Sequence, residues 1–411
     1  MEILRKVFQQ TSYQILGKVV NSLATLFILG FIARFYGEDG TGVFTLALTF
    51  LSFFYLASDL GLNAIVLPRL KSSPNEANKL FNFRLIWSLV LVVGSSVVAF
   101  LLPLGSDDFK LAVLFGSLTI TGMALYNSFN LIFQYRLKYN LSVIASSLDS
   151  LVQIPLIIAL GLMKLPVYLL NLGLVLGDLM SNTTSFILIK KFYRFKLEVP
   201  SFLYIKGLLL VSWPISLTLV LNSLYFRIDT FILSFYHGIS SSGNYNLAYQ
   251  VFQNILVIPT FIMNGFYPLM VQSFSFNKIK FFKEIKLAGV ILFLISILAS
   301  LVIFTLADLV IKIIANSGFQ PASLSLKILS LSFPAYFLSS LLMWVFLTLK
   351  EYKSLALIYA FGLIINIFLN LVFIPSYSFI AASAITGISE YLILFLLLTI
   401  LYFKFKDEIN S

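Results

Sequence analysis

Twelve apolar stretches, each long enough to cross the hydrocarbon core of a bilayer, punctuate this chain at about residues 12–34, 43–67, 81–103, 110–132, 142–163, 166–189, 208–234, 244–271, 286–306, 321–347, 355–374 and 379–403. Lipid offers no hydrogen bonds, so every backbone N–H and C=O within such a stretch must find its partner inside the protein. Runs of this length then fold as helices. The pattern predicts an all-α polytopic membrane protein with about twelve transmembrane helices. With 59% apolar and 11% charged residues, the chain has no room for a soluble domain beside them.

The sequence also matches itself at an offset of about 200 residues. Phe35-Tyr36, Gly42, Phe44, Leu46-Ala47 and Pro68 recur as Phe235-Tyr236, Gly243, Tyr245, Leu247-Ala248 and Pro268, and Asn78-Lys79 recurs as Asn277-Lys278. The match includes polar and turn-forming residues in order, with one residue of slippage. Two six-helix repeats are expected, an N-terminal lobe at 1–195 and a C-terminal lobe at 196–411. An even number of spans per repeat gives both lobes the same orientation, related by an axis along the membrane normal, as in secondary transporters.

The net charge of +11 is mostly topology. With the N-terminus inside, the cytoplasmic loops collect Arg5, Lys6, Arg69, Lys71, Lys79, Arg84, Arg136, Lys138, the run from Lys190 to Lys206, Lys278 to Lys286, Lys350, Lys353, Lys404 and Lys406. Lys110, Lys164 and Lys312 fall on the other side. The positive-inside rule places both termini in the cytoplasm, and no nucleic-acid partner is implied. The start, Met1 to Gln10, does not read as a cleavable signal peptide. The basic join from Lys190 to Lys206 reads as a solvated, topology-setting linker, or else as a surface for anionic headgroups.

Enzyme chemistry has little to work with. There are no cysteines, a single histidine (His237), no phosphate-binding loop, and no set of residues for zinc or for a Ser-His-Asp triad. Acidic pairs at Glu38-Asp39 and Asp107-Asp108 superficially suit a polyprenyl-phosphate-dependent glycosyltransferase. The first pair, however, lies in a Gly-flanked slot whose counterpart in the second half carries no acid, so it reads as a turn with solvated loop charges.

Ionisable side chains inside spans are therefore the informative residues, since each costs at least ~2.5 kcal/mol near the bilayer centre. They are Lys18, Arg34, Asp59, Asp149, Asp178, Arg227, Asp229 and Glu390. Lys18 and Arg227 lie on repeat-equivalent spans 1 and 7 and are expected to face one central cavity. Lys suits phosphate as a point charge and Arg as a two-pronged donor; the alternatives are snorkelling for Lys18 and a local ion pair for Arg227. Asp59 and Asn63 share one face by i,i+4 spacing and suit a proton, a sodium ion or sugar hydroxyls, or a tie to a neighbouring helix. Asp149, Asp178 and Glu390 read as structural.

The segment Phe35-Tyr36-Gly37-Glu38-Asp39-Gly40-Thr41-Gly42-Val43-Phe44 followed by Asp59-Leu60-Gly61-Leu62 resembles the first two spans of the Wzx-type polysaccharide flippases. These belong to the MOP (multidrug/oligosaccharidyl-lipid/polysaccharide) superfamily. Arg227-Ile228-Asp229 with Gly243-Asn244-Tyr245-Asn246-Leu247-Ala248 is similar to their spans 7 and 8. The likeness covers essentially the whole chain. It implies a flippase of the bacterial cytoplasmic membrane that moves undecaprenyl-diphosphate-linked oligosaccharide units to the outer leaflet for O-antigen or capsule synthesis. It also implies alternating access, coupling to a proton or sodium gradient, and a place beside polysaccharide polymerase machinery. Carried onto this chain, Lys18, Arg34 and Arg227 become diphosphate contacts, with Asn63 as a glycan contact. Asp59 and Asp229 become coupling or gating residues. The competing readings are a small-molecule exporter of the same superfamily and the glycosyltransferase.

Overall fold

In a computed structural model the protein is helical throughout, with no strand among the described residues. The structure describes residues 2–102, 106–197, 199–316 and 318–409, and side chains from 16 to 404 apart from 275 within those ranges. The cations at Arg5, Lys6 and Lys406 thus lie outside the described side chains. The helices are α1 (Glu2–Asp59), α2 (Leu62–Arg69), α3 (Glu76–Leu101), α4 (Asp107–Gly116), α5 (Leu118–Tyr135), α6 (Tyr139–Leu162), α7 (Asn171–Ile189), α8 (Phe202–Ile255), α9 (Val257–Phe276), α10 (Lys278–Ile314), α11 (Gln320–Ser330), α12 (Phe333–Thr348) and α13 (Tyr352–Ile409). A 3-10 turn at Val167–Leu170 leads into α7.

Eight helical stretches are long and apolar enough to cross a membrane, and α11 with α12, bent by 47° at the break before Pro334, makes a ninth. Three of the nine contain a residue off the helical path: Gly37 in α1, Gly238 in α8 and Ser378 in α13. Each of these three stretches covers two of the apolar runs read from the sequence, one on either side of its break. Gly37 (φ 66°, ψ −161°) and Gly238 (φ 80°, ψ 176°) take a left-handed φ that other L-residues adopt at a steric cost. These breaks sit where the sequence repeat places its turns.

By its internal contacts the chain forms two compact units, Met1–Ser223 and Leu224–Ser411. The first unit therefore takes in the early part of α8, beyond the sequence boundary at 195/196. A close backbone approach accounts for this. Gly61, at φ 64°, presents its bare Cα to α8, where an added Cβ would stand 2.4 Å from Ile215 Cγ2. Ser216 Oγ donates to the Leu60 carbonyl at 2.9 Å.

Each unit is packed around its copy of the repeat. Residues 41–47 are buried without interruption, as are 242–249. In both runs Leu-Ala is fully enclosed (Leu46-Ala47 and Leu247-Ala248). Burial at successive positions means that these segments are enclosed on every side, where an amphipathic helix would bury only a stripe on one face. Phe35 and Phe235, just before the breaks, are more than half exposed, as suits aromatic residues at a membrane interface.

Helix α10 shows how charge is kept out of lipid. Its 37 residues span about 55 Å at 1.5 Å per residue, well beyond a ~30 Å hydrocarbon core. Lys280, Lys283 and Lys286 mark one end and Asp308 and Lys312 the other. Lys327, near the start of the apolar run 321–347, donates to Asp308 Oδ2 at 2.6 Å, and Ser323 donates to Oδ1.

The basic join is also more ordered than a solvated linker. The Phe195 ring stacks on Phe81 at 4.4 Å, the Lys196 N–H donates to Asn78 Oδ1 at 2.7 Å, and Asn82 Nδ2 donates to the Lys196 carbonyl at 2.7 Å. Helix α3 thus holds the segment against the first unit.

Candidate transport site

The second unit contains the more elaborate polar cluster. On α8, Tyr225 and Asp229 are four residues apart and share a face; on α13, Thr386 and Glu390 do the same. The pairs meet in antiparallel sense. Tyr225 donates its hydroxyl proton to Glu390 Oε2 at 2.8 Å, and Thr386 Oγ1 lies 3.4 Å from Asp229 Oδ2. Asp229 Oδ2 also accepts from the Tyr245 hydroxyl, and Oδ1 accepts from the Thr230 N–H at 2.7 Å. Ser339, on α12, donates to Glu390 Oε1. Thr230 Oγ1 donates to Asn246 Oδ1 at 2.9 Å, tying the segment before the Gly238 break to the segment after it. Both carboxyl groups are buried, 3% exposed for Asp229 and 2% for Glu390. Each is supplied with hydroxyl donors, as burial of a carboxylate demands.

Arg227 lies two residues before Asp229 and about 200° round the helix. It is half-buried and within electrostatic range of both Asp229 and Tyr249. Within α13, across its break at Ser378, Asn366 Nδ2 donates to Ser389 Oγ at 3.2 Å, and Asn370 Nδ2 donates to Asn366 Oδ1 at 3.0 Å.

In the first unit, Asp59 and Asn63 converge on one partner. Arg84, fully buried on α3, donates through Nη2 to Asp59 Oδ1 at 2.6 Å and through Nη1 to Asn63 Oδ1 at 2.8 Å. Asn63 Nδ2 in turn donates to the Asn127 carbonyl at 3.0 Å. The two residues do not lie on one continuous helix, because Leu60 (φ 51°) and Gly61 break the path between α1 and α2. The guanidinium brings them together across that break. By sequence alone Arg84 groups with the cations of the cytoplasmic loops. The only signal for its role was an Arg embedded in Phe81-Asn82-Phe83-Arg84-Leu85-Ile86-Trp87, where snorkelling and pairing look the same.

Lys18 is exposed on α1, and Arg34 is exposed three residues before the Gly37 break. Asp149 accepts from Gln153 Nε2 at 2.6 Å, with Asp178 within electrostatic range. The hydroxyl partners Tyr225, Tyr245, Ser339 and Thr386 escaped the sequence reading, since a hydroxyl on an apolar helix carries no sign of which carboxylate it serves. The i,i+4 spacings of Tyr225 with Asp229 and Thr386 with Glu390 were the available clue.

Comparison with known proteins gives this architecture its class. The family model described as "Polysaccharide biosynthesis protein" matches residues 7–274, and one described as "MatE" matches residues 214–372. No curated protein sequence matches the chain. Among solved structures, the fold is similar to a lipid II flippase MurJ in an inward closed conformation (TM-score 0.76, 16% identity, 96% of this chain and 87% of that one). It is also similar to an inward-facing multidrug resistance MATE family transporter of the MOP superfamily (TM-score 0.75, 13% identity, 96% of each chain). A third is a MOP superfamily transporter from Pyrococcus furiosus described as having reversed binding-pocket polarity (TM-score 0.64, 14% identity, 96% and 93%).

The protein is thus a multi-pass membrane protein with the MOP superfamily fold, whose families and structural neighbours are transporters and flippases rather than enzymes. Because one family model covers more than half of the chain, it belongs to the polysaccharide biosynthesis protein family.

Proposed function

We propose that the protein flips an undecaprenyl-diphosphate-linked oligosaccharide across the bacterial cytoplasmic membrane, from the inner to the outer leaflet, for assembly of a surface polysaccharide such as O-antigen or capsule. The observation that carries this reading is the family match over residues 7–274, which takes in Lys18, Arg34 and Arg227. A dianionic headgroup requires cations at the depth it passes, and arginine offers paired donors to phosphate oxygens. Lys18 and Arg34 in the first unit and Arg227 in the second are assigned to the diphosphate, and Asn63 to the glycan. Asp229 is assigned to coupling. A carboxyl group held by Tyr245, Thr386 and the Thr230 N–H changes its charge on taking up a proton or a sodium ion, and Arg227 stands within range of that change. Asp59 would gate through its bond to Arg84. Both termini are assigned to the cytoplasm, and the lobes to 1–195 and 196–411.

A second reading, export of a small molecule, is supported by the MatE match at 214–372 and by the carboxylates Asp229 and Glu390, which suit a cationic substrate. Depletion of the protein in its host, followed by extraction of polyprenyl-diphosphate lipids and measurement of their glycan mass and leaflet, separates the two. Complete repeat units trapped on the cytoplasmic side are the expected result. Truncated units would indicate a transferase, and an unchanged lipid pool would transfer the assignment to small-molecule export.

A further inference from the structure

Glu390 sits inside the second unit as an acid with no countercharge. It is buried, and among the described residues no cation acts on it. Arg227 acts on Asp229 and Tyr249 instead, and Lys327 of α11 is engaged by Asp308. The titratable groups within electrostatic range of Glu390 are all phenols: Tyr225 and Tyr249 from α8, Tyr336 from α12 and Tyr359 from the first part of α13. Asp229 meets Thr386 one turn earlier on α13. A carboxyl enclosed in this way needs a countercharge or a proton.

The hydrogen bonds around Glu390 accommodate either state. Ser339 Oγ bonds Glu390 Oε1 and lies 3.2 Å from the Tyr336 carbonyl of its own helix. A hydroxyl has one hydrogen and two lone pairs, so it donates to one of these oxygens at a time and can accept on the other side. With Glu390 ionised, Ser339 donates to Oε1 and Tyr225 donates to Oε2. With a proton on Oε1, the new O–H donates to Ser339 Oγ and the serine hydrogen turns to the Tyr336 carbonyl. Tyr225 remains a donor to Oε2, and none of these groups loses its partner. Thr386 offers the same pair of acceptors at Asp229, with its Oγ1 2.9 Å from the Ala382 carbonyl and 3.4 Å from Asp229 Oδ2.

We propose that Glu390 is a proton-binding site, taking a proton from water on Oε1, with the Ser339 hydroxyl as the switch that keeps both states hydrogen-bonded. The consequence is mechanical. The carboxylate ties α13 to α8 through Tyr225 and to α12 through Ser339, by charge-assisted bonds roughly twice as strong as neutral ones. Protonation weakens both ties and loosens α13 from its two neighbours. The site rests on neither the transported lipid nor the role assigned to Asp229, so it stands or falls apart from the flippase reading.

Infrared difference spectra of the purified full chain in lipid nanodiscs, recorded without sodium as pH is stepped from alkaline to acid, test this directly. A neutral carboxylic acid has a C=O stretch clear of the amide bands. One such band is expected to appear on acidification, to be lost in Glu390→Gln and to persist in Asp229→Asn. Tyr225→Phe, which removes the donor to Oε2, should shift that band to higher frequency. Spectra in which Glu390→Gln loses no band would overturn the proposal. A band lost in that variant but constant at every pH would overturn it too, since it would mark a permanently neutral acid. So would a Glu390 carboxylate signal that responds to added sodium and not to pH. Should Glu390→Gln fail to fold, Tyr225→Phe and Ser339→Ala carry the test, and a pH-dependent band that neither of them moves would overturn the proposal.

Discussion

Tyr36 and His237 hold the same station in the two halves. Each directly precedes the glycine that breaks its helix, Gly37 or Gly238, and each donates to the carbonyl of a residue that precedes a proline at the junction of the fifth and sixth spans. The Tyr36 hydroxyl reaches the Leu165 carbonyl, before Pro166, at 2.6 Å; His237 Nε2 reaches the Ile374 carbonyl, before Pro375, at 2.7 Å. A carbonyl only accepts, so Nε2 of His237 carries a proton in this contact. The pairing also locates the slip in the repeat. Aligning the broken glycines sets Tyr36 against His237, so the offset changes between the aromatic pair and the glycine. A bond between the first break and the last junction of each half closes that half on itself.

Loss of that closure is measurable. Tyr36→Phe removes the hydroxyl while keeping the ring, and is expected to cost about 0.5–1.5 kcal/mol. His237→Ala removes ring and donor together and should cost somewhat more. Thermal unfolding of the purified protein in detergent reads both. His237→Gln, which restores an N–H donor, should recover part of the loss; if it behaves as the alanine variant does, the hydrogen bond is not what matters at that position.

The Arg84 clamp predicts an asymmetry between its partners. Arg84 is fully enclosed, whereas the Asp59 side chain is 26% exposed. Asp59→Ala therefore leaves a guanidinium buried without its countercharge, which costs about 3–5 kcal/mol. Arg84→Met leaves a carboxylate that water can reach and should cost less, about 1–3 kcal/mol. Equal losses in the same unfolding assay would mean that the pair is solvated in both members.

How far the sequence discloses this fold depends on what kind of signal each part leaves. The all-helical, many-span architecture was legible because lipid forces a long apolar run on each helix, and the repeat was legible because Gly42, Phe44 and Leu46-Ala47 fall in a buried stretch where few alternatives fit. The helix breaks at Gly37 and Gly238 came with their glycines; that at Ser378 had only Pro375 to announce it. Buried pairing was much less legible. Arg84 reads like any basic residue near a membrane face, and Lys327 like a lone charge near the start of an apolar run, until the structure shows Asp59 and Asp308 against them. Such partners are set by helix packing across dozens of residues. Periodicity records which face of a helix is buried, and says nothing of what lies opposite.

Glu351 supplies a dependence on pH outside the spans. Its carboxyl accepts from Lys404 and from Ser354 Oγ, and the Lys404 ammonium bonded to it, with the Ser354 hydroxyl, holds it below the ordinary glutamate range. A group with a lowered folded-state pKa contributes stability above its unfolded value, near ~4.3, and loses it as pH falls through the folded value. Because the Glu351 side chain is 31% exposed and its Lys404 partner 40%, the contribution is small and sensitive to salt. Melting curves of the parent and Glu351→Gln should therefore differ slightly at neutral pH in low salt and converge in strong acid. A gap that widens on acidification would contradict this sign.

Arg227 and Asp229 test the transport assignment itself. They lie on opposite sides of one helix, so each can be altered without removing the other's direct contacts. Arg227→Ala should abolish surface glycan with protein levels unchanged, and Arg227→Lys should restore part of it, since lysine keeps the charge but loses the paired donors, a difference worth about 1.5–3 kcal/mol at a charged hydrogen bond. Asp229→Asn keeps a group that accepts from Tyr245 but cannot change charge. If Asp229 couples the cycle to an ion, this variant binds lipid-linked glycan normally and fails to accumulate it in the outer leaflet, and its residual activity no longer responds to the ion gradient. Transport that still follows the gradient in Asp229→Asn would place the coupling group elsewhere, with Glu390, held by Tyr225 and Ser339 on the facing helices, the next carboxyl to substitute.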